Sequence, residues 1–397
     1  MELTLKQQEG LRIAVQRYKD REPYTAISGY AGAGKTTLVK FIIAALGVNP
    51  QADVAYVAFT GKAATVLAKK GCPNATTAHK LLYKASMRSD GSYYFKPVKK
   101  GELQYKVIVV DEVSMLPKGM WERLLKHKIY VIACGDPGQL PPIVADDDNH
   151  VLDNPHVFLD EIMRQAQDSE IIRLSMWIRE GKDIKNFPCS KEQVQIIEQK
   201  DVVSGMYEWA DQILCATNVR RNNINNEMRQ RLGFGEAPEI GDKIVSLSNH
   251  WDFFSERGNN VLTNGSIGFL KDFSLRNVRL PYYISEKPIP YMYSDIEIEG
   301  EKDIFYYVPI DYNTLLKNEK SLTPRQCYQM KKNEAIDEVA PYDFAYAYAL
   351  TVWKAQGSEW DKILGFEEWH PSNAEEHKKF LYTMATRAKE KLVIVRK

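Results

Sequence analysis

The chain carries, near its amino terminus, the stretch Gly29-Tyr30-Ala31-Gly32-Ala33-Gly34-Lys35-Thr36. This stretch follows a short β-rich run, Tyr24–Ser28, and opens a helical pattern over Thr36–Leu46 that Gly47 ends. The spacing matches the phosphate-binding loop (P-loop), in which backbone N–H groups and a helix amino terminus surround a phosphate. It predicts a strand–loop–helix unit of an α/β fold with a nucleoside triphosphate as its ligand.

Further strand-like runs follow this loop, separated by helical patterns. They are Val54–Phe59, Val107–Val110 and Ile129–Cys134. Such alternation is typical of a parallel sheet covered by helices, and a strand buried on both faces is continuously apolar, as Val107–Val110 is. A helix capped by Ser169 and ended by Gly181 follows. The first part of the chain is therefore predicted to be an α/β lobe.

A second alternation covers about residues 193–269 and resumes at 344–397. Its strands include Gln212–Ala216, Lys362–Phe366 and Leu392–Val395. Between its two parts, residues 270–340 are rich in tyrosine, proline and short β runs. Within the first lobe, residues 84–105 carry the pair Asp90-Gly91 between strand-like flanks, which is typical of a hairpin. The order predicts two α/β lobes, each with an insertion.

The composition is that of an ordinary globular chain, with 44% apolar residues, 26% charged residues and a net charge of +1. No apolar run reaches the roughly 18 residues of a membrane span, and the first residues lack a secretory signal. These features predict a cytoplasmic protein with no membrane partner.

The five cysteines are widely spaced, which predicts reduced structural thiols rather than a zinc or redox site. Because the net charge is small, a nucleic acid would be held by local patches.

Two acidic residues, Asp111 and Glu112, directly follow the apolar strand Val107–Val110. Asp111 would hold Mg²⁺ through water, together with the hydroxyl of Thr36, and Glu112 would orient and deprotonate an attacking water. Taken alone, the pair is alternatively an acidic strand end at a turn. Its position after a P-loop favours the catalytic interpretation.

Three more residues are candidates for the same chemistry. Gln139 follows the next strand within 135–142, where a neutral amide would sense the γ-phosphate or position water, although Gly135–Gly138 also has the composition of a β-turn. Arg164 and Arg387 would neutralise charge in the transition state. An isolated arginine is more often a partner in a surface ion pair, so both interpretations stay open from the residues alone.

The motifs keep one order along nearly the whole chain. They are Leu3–Gln7, Gly29–Thr36, Ala58–Ala64, Thr77–His79, Asp111–Met115, Gly135–Pro142, Met163–Gln165, Asn264–Gly268, Thr351–Glu359 and Tyr382–Ala388. The series resembles superfamily 1 helicases, specifically the 5′→3′ RecD-like branch that includes the Dda-like phage enzymes. The resemblance implies two RecA-like lobes with ATP between them and single-stranded DNA across their top. The lobes would comprise residues 1–165, with a pin hairpin at 84–105, and residues 166–269 with 341–397; residues 270–340 would form an accessory β-barrel-like unit.

The resemblance also implies the residues that use ATP. Those expected to bind it are Gln7 as an adenine-reading glutamine, with Gly29, Gly32, Ala33, Gly34, Lys35, Thr36, Thr37, Gly357 and Glu359. Those expected to act in hydrolysis are Lys35, Asp111, Glu112, Gln139, and Arg164 and Arg387 as arginine fingers. Thr36 and Asp111 would be the Mg²⁺ ligands.

The DNA-binding residues implied by the resemblance lie in both lobes. They are Phe59, Thr60, Lys62, Thr77, His79, Thr351, Trp353 and Ser358, with Tyr93, Tyr94 and Phe95 on the hairpin. Hydroxyls and Lys62 suit phosphate contacts, which position a strand without reading its sequence. Phe59, His79 and the hairpin aromatics are alternatively packing residues. Trp353 replaces the usual histidine of the family and would stack on a base or pack against its lobe.

The function implied is that of an ATP-dependent DNA helicase that translocates 5′→3′ on single-stranded DNA and unwinds duplexes, coupling ATP hydrolysis to closure of the two lobes. It would act as a monomer in the cytoplasm, the host cytoplasm if phage-encoded, with duplex junctions and single-strand-binding or replisome proteins as partners. An RNA helicase of the same superfamily and an ATP-gated nucleic-acid-binding module are alternatives, because phosphate contacts do not distinguish the sugars. A small-molecule kinase is disfavoured because it would leave the second lobe unexplained.

Overall fold

The computed structural model describes residues 3–87, 93–141, 149–161, 168–258, 261–300, 303–333, 336, 338–368 and 373–396. The chain divides into two compact units. The first comprises Met1–Leu82, Pro97–Arg221 and Leu350–Lys397, and the second comprises Tyr83–Lys96 and Asn222–Ala349. No helix in the described part of the chain has both the length and the apolar character needed to cross a bilayer.

The first third of the chain alternates strands and helices as predicted. Its strands are β1 (Tyr24–Gly29), β2 (Val54–Ala58), β3 (Ala75–Thr77), β4 (Tyr83–Met87), β5 (Tyr93–Pro97), β6 (Val107–Val110), β7 (Tyr130–Gly135) and β8 (Val157–Leu159). Its helices are α1 (Leu5–Lys19), α2 (Lys35–Ala45), α3 (Gly61–Lys69), α4 (Ala78–Leu82) and α5 (Lys118–Lys126). Six strands form a parallel sheet in the order β3–β2–β6–β7–β1–β8, whereas β4 and β5 form a separate two-stranded sheet.

The core of this sheet follows from its sequence. All four residues of β6 are buried, so the continuous apolar run does mark a strand covered on both faces. Helix α2 packs Leu38 and Ile42 into the same core, where neither side chain is exposed. Burial of side chains of this size stabilises the fold by roughly 1.5–3 kcal/mol each, which holds the P-loop between a fixed strand and a fixed helix.

The remaining strands form two five-stranded sheets and one two-stranded sheet, with helices between them. The strands are β9 (Val194–Glu198), β10 (Gln212–Cys215), β11 (Lys243–Ser246), β12 (His250–Phe254), β13 (Val261–Leu262), β14 (Ile267–Val278), β15 (Ile289–Ile298), β16 (Ile304–Asp311), β17 (Phe344–Tyr346), β18 (Ala349–Thr351), β19 (Trp360–Phe366) and β20 (Ala388–Arg396). The helices are α6 (Glu170–Arg179), α7 (Gly205–Trp209), α8 (Asn218–Arg231), α9 (Tyr312–Lys317), α10 (Pro324–Lys332), α11 (Val352–Ala355) and α12 (Ala374–Ala385). Ser169 caps α6 by accepting from the backbone N–H of Ile172, as its position before the helix predicts.

The second lobe contains a sheet in the order β18–β10–β19–β20–β9, in which β10, β19, β20 and β9 pair in parallel. The second compact unit contains an antiparallel sheet in the order β16–β15–β14–β11–β17. Its core gathers buried residues such as Ile289 and Tyr291. The α/β fold class with parallel sheets is therefore confirmed.

The compact units do not follow the boundaries predicted at 269 and 341. Strand β11 pairs with β14 and β17, so residues from 222 to 349 belong to the antiparallel unit. The hairpin strands β4 and β5 also group with that unit rather than with the first lobe. Short apolar β runs look alike in parallel and antiparallel sheets, and only their pairing partners separate the two cases.

All five cysteines are free thiols, as predicted. Three of them, Cys72, Cys134 and Cys215, are buried, whereas Cys189 and Cys327 are partly exposed. Burial raises the pKa of the Cys72 and Cys134 thiols and raises that of Cys215 to about 12. These thiols therefore stay protonated at neutral pH.

Candidate active site

The P-loop between β1 and α2 is shaped by its glycines and its lysine. Gly34 adopts the left-handed conformation (φ 76°, ψ 28°), and no side chain caps the amino terminus of α2. The first N–H groups of a helix have no partner inside it, so those of α2 can donate to a phosphate. The Lys35 ammonium donates to the carbonyls of Gly29 at 2.6 Å and Tyr30 at 3.2 Å. A phosphate fits this loop because it would offer stronger acceptors to the same donors.

The acidic pair at the carboxyl end of β6 lies in the same lobe. Burial, followed by the neighbouring charge of Glu112, raises the pKa of Asp111, and Lys35 opposes that rise. A buried carboxylate is costly unless a cation or hydrogen-bond donor compensates it. Thr36 is exposed at the start of α2. A hydroxyl and a carboxylate are ligands that Mg²⁺ prefers, so Thr36 and Asp111 fit the metal.

Glu112 is held in a strained backbone conformation. Its φ of 50° and ψ of 49° lie in the left-handed region, which costs a non-glycine residue about 1–3 kcal/mol and therefore persists only where the surrounding structure enforces it. One carboxylate oxygen, Oε1, accepts from the Gln139 amide at 3.2 Å. The other, Oε2, is buried and has no hydrogen-bond partner among the residues described. Glu112 thus presents one unused acceptor of the kind a general base needs.

Gln139 belongs to a turn after β7 that the second lobe holds in place. Asp136 is buried; its Oδ1 accepts from the backbone N–H of Gly138 at 2.9 Å, and its Oδ2 accepts from the Tyr382 hydroxyl at 2.6 Å. The backbone N–H of Leu140 donates to the Thr383 hydroxyl at 2.9 Å. The β-turn interpretation and the catalytic interpretation of this segment are thus compatible. Sequence reasoning overlooked Asp136, although it lies within the motif.

Arg387 follows α12 and is buried. Its guanidinium donates to the Thr383 carbonyl at 3.1 Å, the Ser358 carbonyl at 3.3 Å and the Thr386 hydroxyl at 3.1 Å. Within the described part of the chain no carboxylate forms an ion pair with it, so the surface ion pair considered from the sequence is absent. Because only neutral acceptors contact this buried guanidinium, its positive charge can interact with an anionic ligand. Arg164 lies outside the described residues.

The side chain of Gln7 contacts the backbone of the P-loop. The side chain is buried; its Oε1 accepts from the Thr4 backbone N–H at 3.0 Å, and its Nε2 lies 3.4 Å from the carbonyl oxygen of Gly34. This amide therefore caps α1 and supports the loop, in addition to any contact with adenine. Of the other residues predicted to bind ATP, Ala33 is buried, Thr37 and Gly357 are partly buried, and Glu359 is exposed.

Three hydroxyls predicted to meet DNA have the same local geometry. Thr60 accepts from the Ala63 N–H at 3.2 Å, Thr77 accepts from the Lys80 N–H at 3.2 Å, and Thr351 accepts from the Lys354 N–H at 3.4 Å. Each contact fixes the oxygen at the start of a helix. The hydroxyl proton is not consumed by accepting a bond, so the partly exposed Thr60 and Thr351 can still donate to a phosphate, whereas Thr77 is buried.

The predicted DNA-binding aromatic residues mostly contact other side chains. The ring of Phe59 lies 6.0 Å from that of His79, and burial lowers the pKa of His79. Trp353 packs on Phe380 with ring centroids 5.9 Å apart. These contacts favour the packing interpretation for all three residues. The side chains of Tyr93, Tyr94 and Phe95 lie outside the described residues.

The basic residues of the predicted interface differ in surroundings. The Lys62 ammonium lies 4.6 Å from the centre of the Trp360 ring. Lys354, which was not predicted as a site residue, is largely desolvated, and burial, followed by the charge of Arg221, lowers its pKa to about 8. Among the described residues no carboxylate pairs with its ammonium. Its position between Trp353 and Gln356 in the motif is the signal that could have found it.

Gln356 and Ser358 of the same motif are buried. The Gln356 amide donates to the Leu140 carbonyl at 2.9 Å, and Ser358 contributes its carbonyl to Arg387. The motif therefore contacts both the segment that carries Gln139 and the guanidinium of Arg387.

Two family models match the chain. One, described as AAA domain, matches residues 3–205, and one described as UvrD-like helicase C-terminal domain matches residues 346–395. The chain is 30% identical over 146 residues to the ATP-dependent DNA helicase dda of Enterobacteria phage T4, covering 36% of this chain and 33% of that protein. It is 24% identical over 394 residues to the ATP-dependent RecD2 DNA helicase of Deinococcus radiodurans, covering 92% of this chain and 46% of that protein. The chain thus spans less than half the length of these relatives.

Solved structures share the fold. The crystal structure of Bacteroides Pif1 bound to ssDNA has a TM-score of 0.56 at 19% identity and covers 99% of this chain and 92% of its own. The Pif1 helicase from Candida albicans has a TM-score of 0.53 at 17% identity, covering 100% and 94%. Together with the family models, these matches confirm the two-lobed RecA-like fold and the resemblance to superfamily 1 helicases. The family model described as AAA domain matches half of the chain, and the chain therefore belongs to that family.

Proposed function

We propose that this chain is an ATP-dependent DNA helicase that translocates 5′→3′ on single-stranded DNA and unwinds duplexes. The observation that carries the proposal is the surroundings of Glu112. Its Oε2 is buried without a hydrogen-bond partner among the described residues, and its Oε1 accepts from Gln139. A strained acid with one open acceptor, in the same lobe as a P-loop, is the arrangement expected for hydrolysis of a nucleotide.

ATP is the substrate at this site. The N–H groups of α2 and the Lys35 ammonium would bind its β- and γ-phosphates, and Gln139 would orient the attacking water. Glu112 would take the proton of that water at Oε2. Arg387 would stabilise the charge that develops on the phosphoryl oxygens, as arginine fingers do in other P-loop enzymes. Mg²⁺, held by Thr36 and Asp111, would supply further charge neutralisation.

The strand contacts are proposed to be contacts with phosphates. Thr60 and Thr351 offer fixed, partly exposed hydroxyls at helix starts, and Lys354 offers a partly desolvated ammonium. Thr77 has the same geometry but is buried, so its contact with a strand would require a local rearrangement. Such contacts hold a strand without reading its bases. The further parts of the proposal are taken from the resemblance. They are a preference for DNA over RNA, the 5′→3′ direction, single-strand-binding or replisome partners, a cytoplasmic location and a monomeric state.

The decisive experiment measures ATP hydrolysis and unwinding together. Lys35→Ala should abolish hydrolysis with and without single-stranded DNA, whereas Lys40→Ala, which removes an exposed lysine of the same helix, should leave it unchanged. Substantial DNA-stimulated turnover by Lys35→Ala would refute the ATPase assignment. Duplexes with a 5′ or a 3′ single-stranded tail, of DNA or RNA, complete the test. Unwinding only from the 3′ tail would refute the direction, and unwinding only on RNA tails would favour the RNA helicase.

A further inference from the structure

One hydroxyl group joins three segments of the first unit. Tyr382 lies on α12 and is 1% exposed. Its hydroxyl donates to Asp136 Oδ2 at 2.6 Å and accepts from the backbone N–H of Ala31 at 2.9 Å. Ala31 belongs to the P-loop, and Asp136 belongs to the turn that carries Gln139. Tyr382 therefore connects the second lobe to two parts of the nucleotide site in the first lobe.

The ring of Tyr382 is placed as closely as its hydroxyl. A Cβ on Gly138 would come 3.0 Å from Cε1 of this ring, so only glycine allows the ring to lie against the turn without displacement. Burial raises the pKa of the Tyr382 hydroxyl, which stays protonated and can donate to the Asp136 carboxylate. Burial also raises the pKa of Asp136, and the charge of Lys35 and the hydrogen bond from Tyr382 oppose that rise.

The next residue on α12 makes a parallel contact. The Thr383 hydroxyl accepts from the Leu140 N–H at 2.9 Å, so Gln139 lies between two positions that α12 holds. The same helix leads directly into Arg387. The placement of α12 that puts Arg387 at the site is thus also the placement in which the Tyr382 hydroxyl is hydrogen-bonded to both the P-loop and the Gln139 turn.

We propose that Tyr382 is a positioning residue for ATP hydrolysis, whose hydroxyl holds the P-loop and the Gln139 turn in register while α12 is docked. The inference rests on the proposed hydrolysis of ATP at this site. The hydroxyl acts through the amide of Ala31 and the carboxylate of Asp136. It therefore contributes to the geometry of the reaction more than to the binding of the nucleotide.

The test uses Tyr382→Phe, which keeps the ring and removes the hydroxyl. With saturating single-stranded DNA, we expect kcat to fall by about 10- to 100-fold, because two buried hydrogen bonds of about 1 kcal/mol each are lost, while KM for ATP changes by less than about threefold. Tyr130→Phe is the matched control. Its hydroxyl is also buried and has two contacts, Thr25 Oγ1 at 2.5 Å and the Ala14 carbonyl at 2.8 Å, away from the P-loop. It should lower the melting temperature comparably and leave kcat within about twofold.

A double-mutant cycle tests whether the Tyr382 hydroxyl acts on hydrolysis through its hydrogen bond to Asp136. Asp136→Ala removes the acceptor of the Tyr382 hydroxyl, whereas asparagine would still accept through its Oδ1, so adding Tyr382→Phe to Asp136→Ala should lower kcat less than Tyr382→Phe does alone. Independent, additive losses would overturn the inference, as would a Tyr382→Phe enzyme that keeps more than half of its kcat while Lys35→Ala is inactive. That second result leaves the proposed function intact. A wild-type chain that hydrolyses no ATP would overturn the proposed function and this inference together.

Discussion

Replacement of Lys354 by methionine should move stability and DNA affinity in opposite directions. The ammonium of Lys354 is desolvated beside Arg221, and its pKa falls to about 8 from the ordinary 10.5. That difference corresponds to roughly 3 kcal/mol of unfavourable free energy at neutral pH, as an upper limit. Because part of the side chain remains in contact with solvent, we expect Lys354→Met to raise the free energy of unfolding by about 1–2 kcal/mol at pH 7.

The effect of Lys354 on the free energy of unfolding should depend on pH. Below about pH 8 the lysine is charged in both the folded and the unfolded chain, so the folded wild type carries the full cost. Between that pH and the ordinary pKa of 10.5 the folded state releases its proton first, and the wild type gains stability as the pH rises. Urea denaturation at pH 7 and at pH 9.5 should therefore show a smaller advantage for Lys354→Met at the higher pH.

The DNA measurement completes the test. Loss of one phosphate contact should weaken single-strand binding by about 5- to 20-fold at low salt and reduce the slope of log K against log salt by about 0.7. Lys391→Met, which removes an exposed lysine of β20, is the control and should change neither quantity. An unchanged salt slope would show that Lys354 does not contact the backbone of the strand. A destabilised variant would show that the ammonium is compensated in the folded chain.

Three further substitutions address the site. Glu112→Gln should lower kcat by about 10²- to 10⁴-fold while the enzyme still binds ATP, which single-turnover hydrolysis and equilibrium binding would separate; a variant retaining a tenth of the activity would exclude Glu112 as the base. Arg387→Lys should reduce kcat by about 10³-fold or more, because a lysine cannot reproduce the planar set of donors; steady-state kinetics showing a change in KM alone would contradict this role. Trp353→Ala should cost about 1–3 kcal/mol of stability through lost packing on Phe380. Its affinity for single-stranded DNA should change less than threefold, and a larger loss in a fluorescence titration would favour base stacking.

The features that the sequence predicted best are those governed by short-range chemistry. A P-loop needs its glycines, its lysine and its helix within eight residues, so Gly29–Thr36 identifies a strand, a turn and a helix together. The apolar run Val107–Val110 and the cap at Ser169 are similarly local. The domain boundaries were harder, because the pairing of β11 with β14 and β17 depends on residues far along the chain.

Residue roles that depend on three-dimensional neighbours could not be predicted in the same way. The desolvation of Lys354 and the two contacts of the Tyr382 hydroxyl arise from segments that are distant in sequence. Conversely, Trp353 and the pair of Phe59 and His79 have side-chain neighbours that a motif comparison does not reveal. A motif states which residue types are present, whereas the burial of each side chain decides which of its groups can reach a ligand.

The buried thiols have a practical consequence for testing whether the two lobes open and close during ATP hydrolysis. Maleimide dyes react with thiolates, and the raised pKa values of Cys72, Cys134 and Cys215 leave almost no thiolate at neutral pH. Cys189 and Cys327 are partly exposed and would compete for the dye, although burial also raises the pKa of Cys189. Replacing those two would give a background in which new surface cysteines, one on each lobe, take a donor and an acceptor fluorophore. Opening and closing during turnover could then be recorded on single molecules without disturbing the native core.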